Sequence, residues 1–431
     1  SAAATTHSTF CNSGTATNYQ FTYVNGSITV AKKDVAVTAS SHNVNYGDSA
    51  PTITASYGTF ANGDTSSVVS NMACTTTYSG TTPVASSGIA TSCSAGTATN
   101  YQFTYTTGAI TIAKKTLTVT ASSHIVTYGD AAPSPTPSYD GWVNSQGVAA
   151  LTTAPSCTTA YTNTTAVASS GIATSCSGGL AANYAFTFVN GAITINAKGV
   201  VVTASSPTVT YGDAVPSITP SYGDFVNGQS SSVVSNTACT TVYARTSNVG
   251  SLPATSCSGA TAANYSFTYT SGSVVIEKKT LTVTASSHSV TYGDTKPTVS
   301  PSYDGFVNSQ NATALTTAPT CDTTYSTTSG FGTVASTCSG GVATNYSFSF
   351  TPGVISVAKK TLTVTASSHI VTYGDAAPSP TPSYDGWVNS QGVGAITTAP
   401  TCTTAYTNTT AVASSGIATS CSGGLAANYA F

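Results

Sequence analysis

The chain has 431 residues, of which 6% are charged and 40% hydrophobic, and its formal net charge is −2. An average soluble domain carries about 25% charged residues. So weak a field excludes the basic surface that nucleic-acid binding needs, and the Val, Ile, Tyr and Phe content excludes a disordered chain. Strong helix formers are sparse, with a single Met, so the composition points to β structure. No run of about 18 apolar residues exists to span a bilayer. Residues 1–10 lack the plan of a signal peptide, so the targeting signal of a secreted protein would lie outside this sequence.

Self-similarity organises the rest. Tyr-Gly-Asp begins at Tyr46, Tyr128, Tyr211, Tyr292 and Tyr373, and Asn-Tyr at Asn18, Asn100, Asn183, Asn264, Asn345 and Asn428. Successive differences between the Tyr-Gly-Asp positions are 82, 83, 81 and 81. Lysines at Lys32-Lys33, Lys114-Lys115, Lys198, Lys278-Lys279 and Lys359-Lys360 mark junctions with no room for a flexible linker. The expected modules are 32–113, 114–196, 197–277 and 278–358, with partial modules 1–31 and 359–431. Modules 114–196 and 359–431 differ over their shared length only at Ala149/Gly394, Leu151/Ile396 and Ser156/Thr401.

Within module 114–196, Leu117-Thr-Val-Thr-Ala alternates apolar and polar residues and predicts an opening strand with one buried face. His124 to Tyr128 continues extended, and Gly129-Asp130 ends it with turn residues. Pro133, Pro135 and Pro137 confine the next stretch to an edge strand or loop. The segment Tyr184 to Ile195 carries two alternating runs around Asn190-Gly191, which predicts a hairpin whose two-residue turn uses positive φ angles. About seven short strands without an amphipathic helix predict an all-β fold of tandem immunoglobulin-like β-sandwich modules of about 82 residues.

The eleven cysteines fall as one pair per module with one left over: Cys74/Cys93, Cys157/Cys176, Cys239/Cys257, Cys321/Cys338 and Cys402/Cys421, with Cys11 unpaired in this window. Cys11 matches the second cysteine of a module, so its partner is expected upstream of residue 1. Tetrahedral zinc needs four ligands, usually in close pairs, and each module offers two cysteines and no recurring Cys-x-x-Cys, so disulfides are predicted. In the chain-entropy view, closing a loop of this size stabilises a module by about 3 kcal/mol. Such bridges predict an oxidising, extracellular compartment.

The combination of the Thr-Val-Thr-Ala strand, Tyr-Gly-Asp-x-x-Pro, a Gly-Phe/Trp-Val-Asn turn, paired cysteines, Ala-x-Asn-Tyr-x-Phe and a terminal Gly-x-Ile-Thr-Ile strand resembles the MBG domain, a mostly bacterial immunoglobulin-like repeat. The resemblance covers the whole chain. It implies a large bacterial surface or secreted protein, often adhesin-like.

No catalytic constellation stands out. His42, His124, His288 and His369 share a Ser-Ser-His context, yet Pro207 holds the place in module 197–277, which argues against catalysis. No Gly-x-Ser-x-Gly motif recurs with an acid and a base at module spacing. The pairs Asp130/Asp140, Asp213/Asp224, Asp294/Asp304 and Asp375/Asp385 suggest turn chemistry, with calcium as the rival. The junction lysines and the Asn of Asn-Tyr stand near opposite ends of each module, which raises an isopeptide crosslink. Trp142 and Trp387 are candidates for sugar stacking, although Phe60, Phe225 and Phe306 fill the equivalent place and favour an apolar anchor. Asn163 and Asn408 head glycosylation sequons.

Residues 1–31 align with 83–113, and Phe431 aligns with Phe186. A last module without its final strand would expose a sheet edge, which the segment Thr22 to Val30 of another subunit could complete to build a filament. Against that, residues 1–21 would be redundant and Cys11 unpaired, which favours a window cut from a longer repeat protein.

The sequence therefore predicts a structural segment of a bacterial extracellular fibre, stalk or adhesin that provides mechanical extension and surface display. The alternative is an array binding a glycan or host receptor through loop aromatics. No enzyme, metal or cofactor is expected. Partners are expected to be neighbouring repeats or copies of the same chain.

Overall fold

The computed structural model describes every residue except Ser1, Ala4 and Ser415. Among the described residues there is no α-helix, only strands and single 3-10 turns. The second repeat serves to name the strands. They are β1 (Lys115–Ala121), β2 (His124–Thr127), β3 (Pro137–Asp140), β4 (Leu151–Thr153), β5 (Ser156–Thr159), β6 (Ile172–Ser177), β7 (Leu180–Ala181), β8 (Tyr184–Val189) and β9 (Gly191–Asn196).

Two sheets face each other. The first has the order β3-β1-β8 and the second β2-β9-β6-β5, while β4 and β7 form a small ribbon. Leu117, Val119 and Ala121 of β1 point inward and are buried, as are Ile193 and Ile195 of β9, while the intervening threonines and asparagine face outward or lie at the rim. This is the period-2 pattern of strands with one buried face. Pro137 sits in β3, an edge strand, where its missing N–H costs no ladder bond. The same sheets recur with strands Lys33–Ala39 to Gly108–Ala113 and Lys279–Ala285 to Gly353–Ala358.

One expectation is overturned. Tyr184 to Ile195 is not a hairpin: β8 pairs in parallel with β1, and β9 pairs with β2 and β6, so the chain changes sheet between Val189 and Gly191. Gly191 is not needed for a positive φ. A Cβ there would lie 2.4 Å from the Ala121 carbonyl oxygen and 2.6 Å from Thr174 Oγ1, so only glycine fits the crossing of the two sheets. The wall it meets is well fixed, because Thr174 is fully buried and its hydroxyl donates to the Ser122 carbonyl at 2.8 Å. Ser122 and Ser123 form the corner where β1 leaves one sheet and β2 enters the other.

The chain divides into two compact units. One comprises Ser1–Gly199, Phe225–Val233 and Ala262–Ser266; the other comprises Val200–Asp224, Val234–Thr261 and Phe267–Phe431. In the second unit, pairings such as Thr208↔Val275 and Cys239↔Cys257 repeat those of the second repeat. In the fifth repeat the sequence stops at Phe431, before the equivalent of β9. His369–Thr372, the equivalent of β2, is accordingly not a strand, since β2 pairs only with β9.

Near the N-terminus, Thr6–Thr9 pairs with Gly26–Thr29 in the register that Ile89–Thr91 and Gly108–Ile110 adopt. Tyr19 to Val24, the counterpart of Tyr101–Thr106, is not a strand and leaves Tyr19 exposed. The strand proposed for donation to another subunit is thus already paired over Gly26–Thr29.

Candidate functional site

The motifs that recur at each period converge on the junction between successive repeats. In the first unit, the Tyr46 ring meets the Tyr184 ring edge-on at 5.7 Å, and Trp142 packs edge-on against the other side of Tyr184 at 5.0 Å. Tyr46 and Tyr184 are buried in one cluster with Val37, Ile110 and Ile112 of the first repeat and Leu117 and Ala181 of the second. The hydrophobic core therefore runs through the junction. Burying a side chain of this size contributes about 1.5–3 kcal/mol, and edge-on aromatic pairs add about 1 kcal/mol.

The same pairs recur. Tyr128 meets Tyr265 at 5.6 Å, and within the second unit Tyr211 meets Tyr346 at 5.5 Å and Tyr292 meets Tyr429 at 5.6 Å. Both phenols of the Tyr128/Tyr265 pair donate to Gln229 Oε1, at 3.3 and 2.6 Å, and Gln310 receives the Tyr211 and Tyr346 hydroxyls alike. Tyr46, Tyr128, Tyr211 and Tyr292 are 1–3% exposed, whereas Tyr373, with no repeat after it in this sequence, is 62% exposed. Where the tyrosine is buried, both the last strand of its own repeat, through bonds such as Tyr128 N–H to the Asn196 carbonyl, and the ring of the next repeat cover it.

The residues flanking each tyrosine have their own tasks. Gly47, Gly129, Gly212 and Gly293 adopt positive φ, and a Cβ at any of them would come within 2.4–2.6 Å of a valine methyl of the next repeat: Val143, Val226, Val307 or Val388. Asp48, Asp130, Asp213, Asp294 and Asp375 accept a hydrogen bond from the backbone N–H three residues earlier, closing the turn at 2.7–2.9 Å. This is turn chemistry. No group of three metal-ligating residues occurs among the described residues.

Asparagine side chains fasten the rim. Asn183 Oδ1 accepts from the Val84 N–H (3.0 Å), Asn264 from Val167 (2.9 Å), Asn345 from Val249 (2.9 Å) and Asn428 from Phe331 (2.9 Å). The asparagine after each aromatic-Val pair donates back across the junction: Asn144 to the Gly80 carbonyl, Asn227 to Asn163, Asn308 to Arg245 and Asn389 to Thr327. Asn144, Asn227, Asn308 and Asn389 all have φ near +55°, a conformation asparagine tolerates better than most residues.

Lysine and asparagine do not stand at opposite ends of the folded module. The Lys115 N–H donates to the Asn183 carbonyl at 3.0 Å, and the Lys114 ammonium donates to the Ala181 carbonyl at 2.8 Å. Parallel pairing of β1 with β8 brings the two sequence ends together. The Asn183 amide oxygen accepts from the Val84 N–H, so this side chain serves the junction by hydrogen bonding.

The histidines hold a corner. His124 Nε2 shares a hydrogen bond with Ser122 Oγ at 2.9 Å, and Ser122 Oγ also accepts from the Thr136 N–H. In the third repeat Ser205 Oγ accepts from Thr219 with Pro207 in the histidine's place, so the corner forms without the ring. Trp142 and Trp387 both pack edge-on against junction tyrosines, Tyr184 and Tyr429.

Each repeat carries one disulfide between directly opposed residues of adjacent strands. Cys157 of β5 faces Cys176 of β6, and the corresponding bridges are Cys74–Cys93, Cys239–Cys257, Cys321–Cys338 and Cys402–Cys421, with Cα–Cα distances of 3.9–4.0 Å. The bridges lie within one sheet and do not join the two. Cys11 is an exposed free thiol.

A family model described as MBG domain (YGX type) matches residues 35–111, 117–194, 200–275, 281–356 and 362–431. The chain belongs to the MBG domain family. In the first four matched repeats the Tyr-Gly pair that fits the YGX description supplies the buried ring and the methyl-contacting Cα of the junction. No curated protein matches the sequence. Among solved structures, the MBG array is similar to the I9-I11 tandem from titin, at 8% identity and TM-score 0.20, covering 56% of this chain and 98% of that one. It is also similar to Drosophila N-cadherin EC1-3, at 10% identity and TM-score 0.13, covering 43% and 76%. At these scores neither likeness bears on what the chain does.

Proposed function

We propose that this MBG array is a structural segment of a bacterial extracellular fibre, stalk or adhesin, giving mechanical extension and display at the cell surface. One observation carries the reading: the same ring pair, glycine–valine contact and asparagine clamp are rebuilt at successive junctions, with a single residue between Ala113 and Lys115 as connection. Sequence that rebuilds the same joint at successive periods is invested in how repeats are held to one another.

One disulfide per repeat supports an oxidising, extracellular location, and the sparse charge supports close packing of copies or neighbouring repeats. A glycan- or receptor-binding role through loop aromatics has less support, because both tryptophans are spent on Tyr184 and Tyr429.

The test is immunogold electron microscopy of intact cells combined with force–extension of the tethered chain. Labelling without permeabilisation is expected, together with a series of discrete unfolding steps. With 82 residues per repeat and 19 locked by the bridge, each step should free 82 − 19 = 63 residues, a contour of about 220 Å less the length the folded repeat already spans, and should grow by about 65 Å after reduction. Labelling only after permeabilisation, or extension without discrete steps, overturns the proposal.

A further inference from the structure

We infer that each intra-repeat disulfide is the device that fastens the next repeat, through the loop it closes. The segment between Cys157 and Cys176 connects β5, an edge strand, to β6. It also carries the surface on which the third repeat's loops rest. Asn163 accepts from Asn227 through its carbonyl at 2.8 Å, and Val167 donates its N–H to Asn264 Oδ1 at 2.9 Å. Tyr161 donates its hydroxyl to the Asp130 carbonyl at 3.0 Å and so holds the Tyr128-Gly129 turn from beneath.

The arrangement is common to the other junctions. The Cys74–Cys93 loop supplies Gly80, Val84 and Tyr78; the Cys239–Cys257 loop supplies Arg245, Val249 and Tyr243; the Cys321–Cys338 loop supplies Thr327, Phe331 and Tyr325. In every case the two backbone groups that grip the next repeat lie inside the closed loop.

Outside its junction contacts the loop is tied to β9 by the Gly171 N–H on the Ile193 carbonyl (2.8 Å) and by the Ile195 N–H on Ser170 Oγ (3.0 Å). Between Tyr161 and Ile172 its internal backbone bonds are confined to a turn at Thr162–Thr165 and a 3-10 turn at Val167–Ser169. By contrast Leu117, Val119, Ile193 and Ile195 are buried on strands outside it. Opening the bridge would return conformational freedom to the loop, which must then be ordered again to hold the junction. Cys176 itself packs against Val119 and Ala121, so a purely local brace is the competing role.

Native-state hydrogen exchange on the full chain separates the two. A dithiol reductant such as dithiothreitol transfers two electrons and two protons to the cystine, leaving two thiols and the cyclic oxidised dithiol. After reduction, the amides of Val84, Val167, Val249 and Phe331 are expected to lose protection by roughly 100-fold, while those of Leu117 and Val119 hold theirs. The double variant Cys157→Ser, Cys176→Ser should expose the Val167 amide alone and leave Val84, Val249 and Phe331 protected. Junction amides that keep their protection, core and junction amides that fall together, or a double variant whose second repeat does not fold would each overturn the inference.

Discussion

Gly129 lies against Val226 so closely that a Cβ on the glycine would sit 2.6 Å from the valine Cγ2. Gly171, in the same repeat, has nearly the same φ, +95° against +96°, and nothing within 4 Å of its virtual Cβ. The pair separates backbone conformation from contact. Gly171→Ala should cost the backbone term alone, about 1–2 kcal/mol. Gly129→Ala should cost about 1–3 kcal/mol more, because Val226 must move. Chemical denaturation of the two variants side by side reads the difference; equal losses would remove the glycine–valine contact from the junction.

Gln229 accepts from two phenols at once, Tyr128 and Tyr265. Gln229→Leu should leave the Tyr128 hydroxyl without its acceptor, while Tyr265 keeps its bond to the Val226 carbonyl, and should lower stability by about 1–3 kcal/mol. Adding Tyr128→Phe to it should recover part of the loss, since the stranded donor is then gone; Tyr265 is left in place because its oxygen accepts from the Val226 N–H. Melting temperatures of the single and double variants check this, and a double variant less stable than Gln229→Leu speaks against the clamp.

Trp142 fills a place that Phe60, Phe225 and Phe306 fill at the equivalent positions, where the ring stands edge-on to Tyr101, Tyr265 or Tyr346. Trp142→Phe should therefore cost less than about 1.5 kcal/mol, and Trp142→Ala about 3–5 kcal/mol. A glycan array run on the stable Trp142→Phe variant should match the parent chain. Selective loss of glycan binding in that variant would restore the aromatic to a binding role.

Burial pushes the phenols of Tyr78, Tyr161, Tyr243 and Tyr325 above the usual value of 10, and the neighbouring Asp48, Asp130, Asp213 and Asp294 push the same way. The fold thus prefers the protonated phenol. The corresponding stability is fully present below about pH 10 and is lost as pH rises through the higher folded values. Thermal melts followed from pH 8 to 12 should be level at first and then fall. A folded Tyr161→Phe variant should match the folded parent in phenolate absorbance at pH 10, since the exposed tyrosines such as Tyr19 and Tyr373 are common to both; a lower absorbance in the variant would contradict the burial.

The sequence by itself determined the period, the all-β class, the opening strand at Leu117, the confinement of Pro137 to an edge strand or loop and the pairing of ten of the eleven cysteines, because all of these are written in local alternation, turn chemistry or spacing. Tertiary structure decided which sheet each strand joins. Asn190-Gly191 reads as a hairpin from its neighbours, and what forbids it is the approach of the Ala121 carbonyl, about 70 residues away in the chain. Tyr-Gly-Asp likewise reads as a turn, which it is; its second task appears only when another repeat places Tyr184, Val143 and Asn144 against it. A contact between repeats has no signature within either one, so the sequence shows the junction through the recurrence of its motifs at one period and through lysine-marked boundaries without a linker.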